Sequence, residues 1–205
     1  MRRWKSKNEV RGQLALVTGA ARGIGYAIAE LLLSKGALVA LCDIDNERLA
    51  KATKTLSALG TVRPYVLDVA DLKAFEALVG RIERELQAID ILVNNAGIMS
   101  VGPFLEADPA MDRRQIEVNL FGIINGMRTV LPGMIRRRQG HVVNVCSVAG
   151  RVGTPYASVY TATKFAAIGV TEAVRAEMGS SNVNFSYVCP AFVETELISG
   201  TGLPT

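Results

Sequence analysis

Short apolar runs alternate with longer amphipathic stretches along most of this chain. The short runs are Leu14–Thr18, Ala37–Cys42, Tyr65–Leu67, Ile89–Val93, His141–Cys146 and Val183–Val188. They carry Val, Ile and Leu at both odd and even positions and are too short for helices. That pattern predicts strands buried on both faces. Between them Ile24–Lys35, Asn46–Leu59, Asp71–Gln87, Met111–Arg138 and Ser158–Met178 repeat apolar residues at helical spacing. Strand–helix alternation implies right-handed crossovers and a parallel sheet covered by helices on both faces, an α/β fold in three αβα layers. No internal repeat, low-complexity tract or Ser/Gly linker divides the pattern. Residues 13–205 therefore read as one domain, preceded by a basic tail over 1–12.

In such a fold, ligands bind beyond the carboxyl ends of the strands. The first run leads directly into Thr18, Gly19, Ala20, Ala21, Arg22, Gly23, Ile24 and Gly25. Gly19 suits a tight turn, Gly23 lets backbone approach a pyrophosphate, and Gly25 lets the helix pack closely on the sheet. The helix starting there offers N–H groups and a positive dipole end to the phosphates. Asp43 follows the second run, 18 residues beyond Gly25. A carboxylate there accepts the ribose hydroxyls of an adenosine and repels a 2′-phosphate, favouring NAD over NADP. Arg22 is the counterweight, because a guanidinium binds such a phosphate. Asp68 and Val69 close the third run, where the sheet edge would meet the adenine. Asn94, Asn95, Ala96 and Gly97 close the fourth. Small Ala96 and Gly97 let a flat cofactor lie on the backbone, and the Asn side chains can pin neighbouring strands.

After the fifth run come Ser147 and then Tyr160 and Lys164, four apart and so on one helix face. A phenol near pKa 10 is a poor proton shuttle at neutral pH. An ammonium one turn away stabilises the phenolate and is expected to lower that pKa toward the working range.

Over Gln13 to about Leu197 the sequence resembles the short-chain dehydrogenase/reductase family. The matching segments are Thr18–Gly25, Asp68, Asn94–Gly97, Asn119, Ser147, Tyr160 with Lys164, and Pro190–Thr195. The resemblance implies a Rossmann fold and reversible hydride transfer between a nicotinamide cofactor and a secondary alcohol or ketone. Within it, Tyr160 would move the alcohol proton, and Lys164 would bind the nicotinamide ribose and lower the Tyr160 pKa. Ser147 would hold the substrate oxygen, and Asn119 a water in a proton relay through Lys164. The expected cofactor contacts are Thr18, Gly19, Arg22, Gly23, Ile24, Gly25, Asp43, Asp68, Val69, Asn95, Ala96, Gly97, Tyr160, Lys164, Pro190, Val193 and Thr195. Val193 would reach the nicotinamide carboxamide through its backbone. Family members carry Pro-Gly where this chain has Pro190 and Ala191, and they continue through another strand and a C-terminal helix. The sequence ending at Thr205 reads as an interrupted loop, so a fragment lacking those last elements is expected.

Charge changes the picture little. Of 23 Lys+Arg and 19 Asp+Glu, five basic residues and one acidic residue fall in the first eleven positions, which leaves a neutral body. A nucleic-acid groove is therefore not expected. No apolar stretch is long enough for a membrane span, and the basic start lacks the apolar core of a secretory signal. Cys42, Cys146 and Cys189 read as reduced core thiols, which suits a cytoplasmic protein. His141, the lone histidine, has no companion ligands in sequence, so no metal site is expected. Met99, Val101, Phe104, Val152, Tyr156, Phe192 and Leu197 would line an apolar pocket for a lipophilic alcohol or ketone. The two longest helices are surfaces that family members use to pair, so the resemblance implies a homo-oligomer, dimer or tetramer. The competing class is a dinucleotide-binding sensor or scaffold with little turnover. The Ser147, Tyr160 and Lys164 set favours the enzyme, because binding alone needs no activated phenol.

Overall fold

The computed structural model describes residues 10–191. The elements run β1 (Leu14–Thr18), α1 (Gly23–Ser34), β2 (Leu38–Asp43), α2 (Asn46–Leu56), β3 (Val62–Val66), α3 (Leu72–Glu85) and β4 (Ile91–Asn94). They continue through α4 (Pro109–Ile116), α5 (Gly122–Arg137), β5 (Gly140–Val145), α6 (Ser158–Glu177) and β6 (Val183–Val188). All pairings are parallel, and the sheet order is β3-β2-β1-β4-β5-β6. The chain reverses direction across the sheet between β1 and β4, the switch point where a crevice opens.

Two apolar layers sandwich the sheet. Phe75 and Ile82 of α3, Met127 and Met134 of α5 and Ala167 of α6 pack on one face with Leu14, Leu16 and Val142. Ala29 and Leu33 of α1 and Leu49 and Leu56 of α2 pack on the other with Ala15, Val17 and Val39. This is why β1 is apolar at every position up to Thr18: it is central and buried throughout.

Asp45, Asp71 and Asp108 cap α2, α3 and α4, each accepting from a backbone N–H two or three residues on at 2.9–3.0 Å. Helix α1 starts differently. Its N-cap is Arg22, with no side-chain cap and no acidic residue in the first turn.

Two boundaries depart from the apolar pattern. The third strand lies at Val62–Val66, earlier than Tyr65–Leu67, because it is an edge strand with Arg63 and Pro64 exposed. An edge strand need not be apolar, and it tolerates a proline that donates no ladder bond. The expected helix Met111–Arg138 is α4 and α5 joined by a wide π turn at Glu117–Phe121.

Candidate active site

At the carboxyl edge of the sheet a cleft of about 730 Å³ runs from the end of β2 to the start of α6. Its walls include Gly19, Arg22, Gly23, Ile24, Asp43, Asp68, Val69, Asn95, Ala96, Gly97, Ser147, Tyr160, Lys164 and Pro190. Fourteen expected site residues, drawn from six strand ends and two helices, are thus brought to one surface. Val193 and Thr195 lie outside the described residues, as do Phe192 and Leu197.

The first loop is built for close approach. A Cβ on Gly19 would lie 2.7 Å from the Ala96 Cα, and Gly19 itself has φ +61°. A Cβ on Gly25 would lie 2.3 Å from the Gly19 oxygen. Asn95 Nδ2 donates to the Thr18 and Gly19 carbonyls at 3.0 and 2.9 Å, which staples this loop to the end of β4. Thr18 Oγ1 accepts the Asn95 and Ala96 N–H groups at 3.0 and 3.1 Å and is buried. Thr18 and Gly25 are buried behind the cleft wall and brace the turn from there.

Asp43 is fixed at the cleft's edge. Its Oδ2 accepts the Ala21 N–H at 3.0 Å and its Oδ1 the Asp45 N–H at 3.1 Å. Asp68 accepts from Arg114 Nη2 at 2.7 Å and from the Ala70 N–H at 3.0 Å. Sequence gave no signal for Arg114, which reaches Asp68 from α4 across 46 positions. The start of α1, with no side-chain cap, the small-residue glycine turn and the anchored Asp43 fit a dinucleotide, whose pyrophosphate would meet the helix start and whose adenosine ribose would meet Asp43.

At the other end, Ser147 opens a short 3₁₀ turn over Val148–Gly150, its Oγ accepting the Ala149 N–H at 3.1 Å. Tyr160 is buried and shares a hydrogen bond with Ser147. Lys164 is 4% exposed; its Nζ donates to the Val145 carbonyl at 3.1 Å and lies 5.5 Å from the centre of the Tyr160 ring. Burial pulls the Lys164 ammonium down from 10.5 to about 8. Burial pushes the Tyr160 phenol above its usual range, and the Ser147 hydrogen bond only partly opposes that. The expected lowering of Tyr160 by Lys164 is not found in this arrangement. Desolvation sets the direction of the shift, and the contact that opposes it is Ser147's.

Asn119 is fully buried and does not line the cleft. Its Nδ2 donates to the Ile98 carbonyl at 2.8 Å and to Thr163 Oγ1 at 3.1 Å, while its Oδ1 accepts the Ile98 N–H at 2.8 Å. Both side-chain donors are thus committed to protein partners. A water held at this residue, as the resemblance implies, would therefore meet its main chain, which lies in the wide π turn.

The remaining candidates are structural. His141 Nε2 sits 2.8 Å from Ser186 Oγ, and burial lowers its pKa. Cys42 and Cys146 are buried free thiols, and Cys146 is raised to about 11 by desolvation. Among the described residues no cluster of His, Cys, Asp or Glu could hold a metal ion, and no helix is long and apolar enough to cross a membrane.

A parallel sheet in this order, with a glycine turn at its switch point, is the framework of dinucleotide-dependent oxidoreductases. The short chain dehydrogenase model matches residues 13–202. The 3-oxoacyl-(acyl-carrier-protein) reductase FabG of Thermotoga maritima is 38% identical over 189 residues, covering 92% of this chain and 77% of that protein. Mouse dehydrogenase/reductase SDR family member 7B is 31% identical, covering 96% and 62%. A short chain dehydrogenase/reductase from Burkholderia phymatum, solved in complex with NAD, superposes with a TM-score of 0.89 at 33% identity, covering 92% and 69%. The chain belongs to the short chain dehydrogenase family of NAD(P)-dependent oxidoreductases.

Proposed function

We propose that this chain uses NAD to interconvert a lipophilic secondary alcohol and its ketone, with Tyr160 moving the hydroxyl proton. The observation that carries the reading is the meeting of the Tyr160 phenol, the Ser147 hydroxyl and the buried Lys164 ammonium at one end of a cleft. The other end of that cleft holds Gly19, Gly23 and Asp43. A bound nicotinamide supplies the hydride donor or acceptor. The chain's own residues orient the substrate and manage its proton. Ser147 Oγ is held by the Ala149 N–H and shares a hydrogen bond with Tyr160, which sets its hydroxyl beside the phenol for the same substrate oxygen. Tyr160, raised by burial, keeps its proton at neutral pH and can deliver it to an oxygen gaining negative charge. Lys164 at about 8 keeps its charge at pH 7 and favours the phenolate left behind. Tyr160→Phe should lower kcat by about 10²–10⁴-fold while NADH still binds; an unchanged rate removes Tyr160 from this role.

Support for NAD over NADP comes from Asp43, whose anchored carboxylate suits ribose hydroxyls and opposes a 2′-phosphate. The Burkholderia relative's NAD complex points the same way. Asp43→Ala should shift the NAD:NADP preference toward NADP, and an unaltered ratio refutes this reading of the carboxylate. Met99, Val148, Val152 and Ala157 make the walls near Tyr160 apolar, which suits a lipophilic substrate. A panel of alcohols and ketones, with an acetoacetyl thioester included, followed by NADH absorbance tests that choice. Turnover of the thioester alone would transfer the reading to the chemistry named for the Thermotoga relative. Exposed Phe121 and Phe165 supply apolar surface for a homo-oligomer, dimer or tetramer.

A further inference from the structure

Gln115 is 1% exposed and ranks among the largest fully buried side chains, although its neighbours on α4 include Arg113 and Arg114. Burying a carboxamide is unfavourable unless its polar atoms are used. They are: Oε1 accepts the Ser100 N–H at 3.0 Å, and Nε2 points to Asp112 Oδ1 at 3.4 Å. One helical turn later Asn119 grips both backbone groups of Ile98. Two amides four positions apart thus hold alternate residues, 98 and 100, of the segment leaving β4. Beyond them the Gly102 N–H donates to the Tyr156 carbonyl at 2.8 Å, closing the segment against the approach to α6. Met99, caught between the two amide grips, lines the cleft and packs with Ala149, Ala157 and Tyr160.

We propose that Gln115 is a positioning residue for substrate selection. By holding the Ser100 N–H it fixes Met99 as the wall of the cleft beside Tyr160, and so sets the width open to a lipophilic ketone. This rests on the oxidoreductase reading above. Gln115 touches neither substrate nor cofactor; it acts through the backbone of the 98–102 segment.

Gln115→Met keeps length and volume but removes the acceptor. With cyclohexanone and 1-decalone as probes, the variant should raise KM for the preferred ketone by about tenfold, the worth of one lost hydrogen bond to a part-buried N–H. kcat and the KM for the nicotinamide should move far less, and the kcat/KM ratio between the two ketones should narrow. In a Met99→Ala background the same substitution should have little further effect on that ratio. An unchanged ratio, or a fully additive effect in that background, overturns the proposal. Hydrogen exchange gives a reading that does not depend on turnover. Amides of 98–102 should exchange about tenfold faster in Gln115→Met while those of α5 keep their rates. Unchanged exchange at 98–102 overturns the clamp. If the wild type reduces neither ketone with NADH or NADPH, the proposed function falls on that result, and exchange alone decides the clamp. Should Gln115→Met not fold, Gln115→Asn, which keeps the amide but is too short to reach Ser100, replaces it.

Discussion

Two loops leave the sheet toward the cleft on either side of its switch point, and they are held in opposite ways. The loop after β1 is shaped by what its residues lack. At Gly19 and Gly25 an added Cβ would strike Ala96 and the Gly19 oxygen, and the loop is stapled by the adjacent strand end through Asn95. The segment after β4 is shaped by what distant residues supply. Its backbone groups are satisfied by Asn119 and Gln115, carried on the helical segment 15 to 21 positions away. A surface that must admit phosphates needs bare backbone, whereas a wall that must fit a substrate needs bulk held in place. Each need leaves a different trace in the chain.

The sharpest way to break the first loop is Gly25→Ala. The new Cβ would sit 2.3 Å from the Gly19 oxygen and 2.5 Å from Asn95 Nδ2, so backbone must move. Overpacking of that kind costs about 1–3 kcal/mol, and here the shift falls on the turn meant for phosphate. Loss of measurable NADH binding by fluorescence titration is expected; retained affinity would show that the loop does not need its tight approach. Asn119→Ala is the counterpart for the second segment. It leaves the Ile98 N–H and carbonyl without their side-chain partner in a part-buried setting, a loss of about 1–3 kcal/mol by urea unfolding. Dinucleotide affinity should fall much less than in Gly25→Ala. Equal losses in the two variants would mean that the two loops act as one unit.

The same contrast explains what could be read from the residues alone. The glycine turn, Asp43 and the Tyr160–Lys164 pair announce themselves because their chemistry needs fixed local spacing. The six strands are legible because a parallel sheet is apolar on both faces, and β3 slips only where Arg63 and Pro64 occupy an exposed edge. Gln115, Arg114 and Thr163 are not legible. A glutamine, an arginine and a threonine on amphipathic helices look like surface residues until tertiary packing buries or pairs them. Thr18 and Asn119, whose side chains bind backbone, follow a related rule. Spacing indicates which strand end a residue occupies, and it does not tell whether the side chain faces the cleft or braces the backbone behind it.

Lys164 lies where the two halves meet, and its titration gives the mildest test of how dry that junction is. A Cβ on Gly97 would come 3.6 Å from its Nζ and 3.3 Å from Asn119 Oδ1, so the β4 turn closes directly over the ammonium. Burial lowers its pKa from 10.5 to about 8. Between those values the unfolded chain binds more protons at this lysine than the folded chain, so this group makes stability rise with pH from about 8 to 10.5. Below 8 both states are protonated and the full penalty of the buried charge is felt; above 10.5 neither state is. Tyr160, Cys42 and Cys146 work in the opposite sense from about pH 9, because their raised values keep protons in the folded state that the unfolded chain releases. The net curve therefore mixes both signs, and the informative quantity is the difference from Lys164→Met, which lacks only the amine's contribution. Thermal midpoints taken from pH 7 to 10 should move in favour of the wild type relative to that variant as pH passes 8. A flat difference would mean that water reaches the ammonium, and that the joint between the phosphate turn and the substrate wall is open.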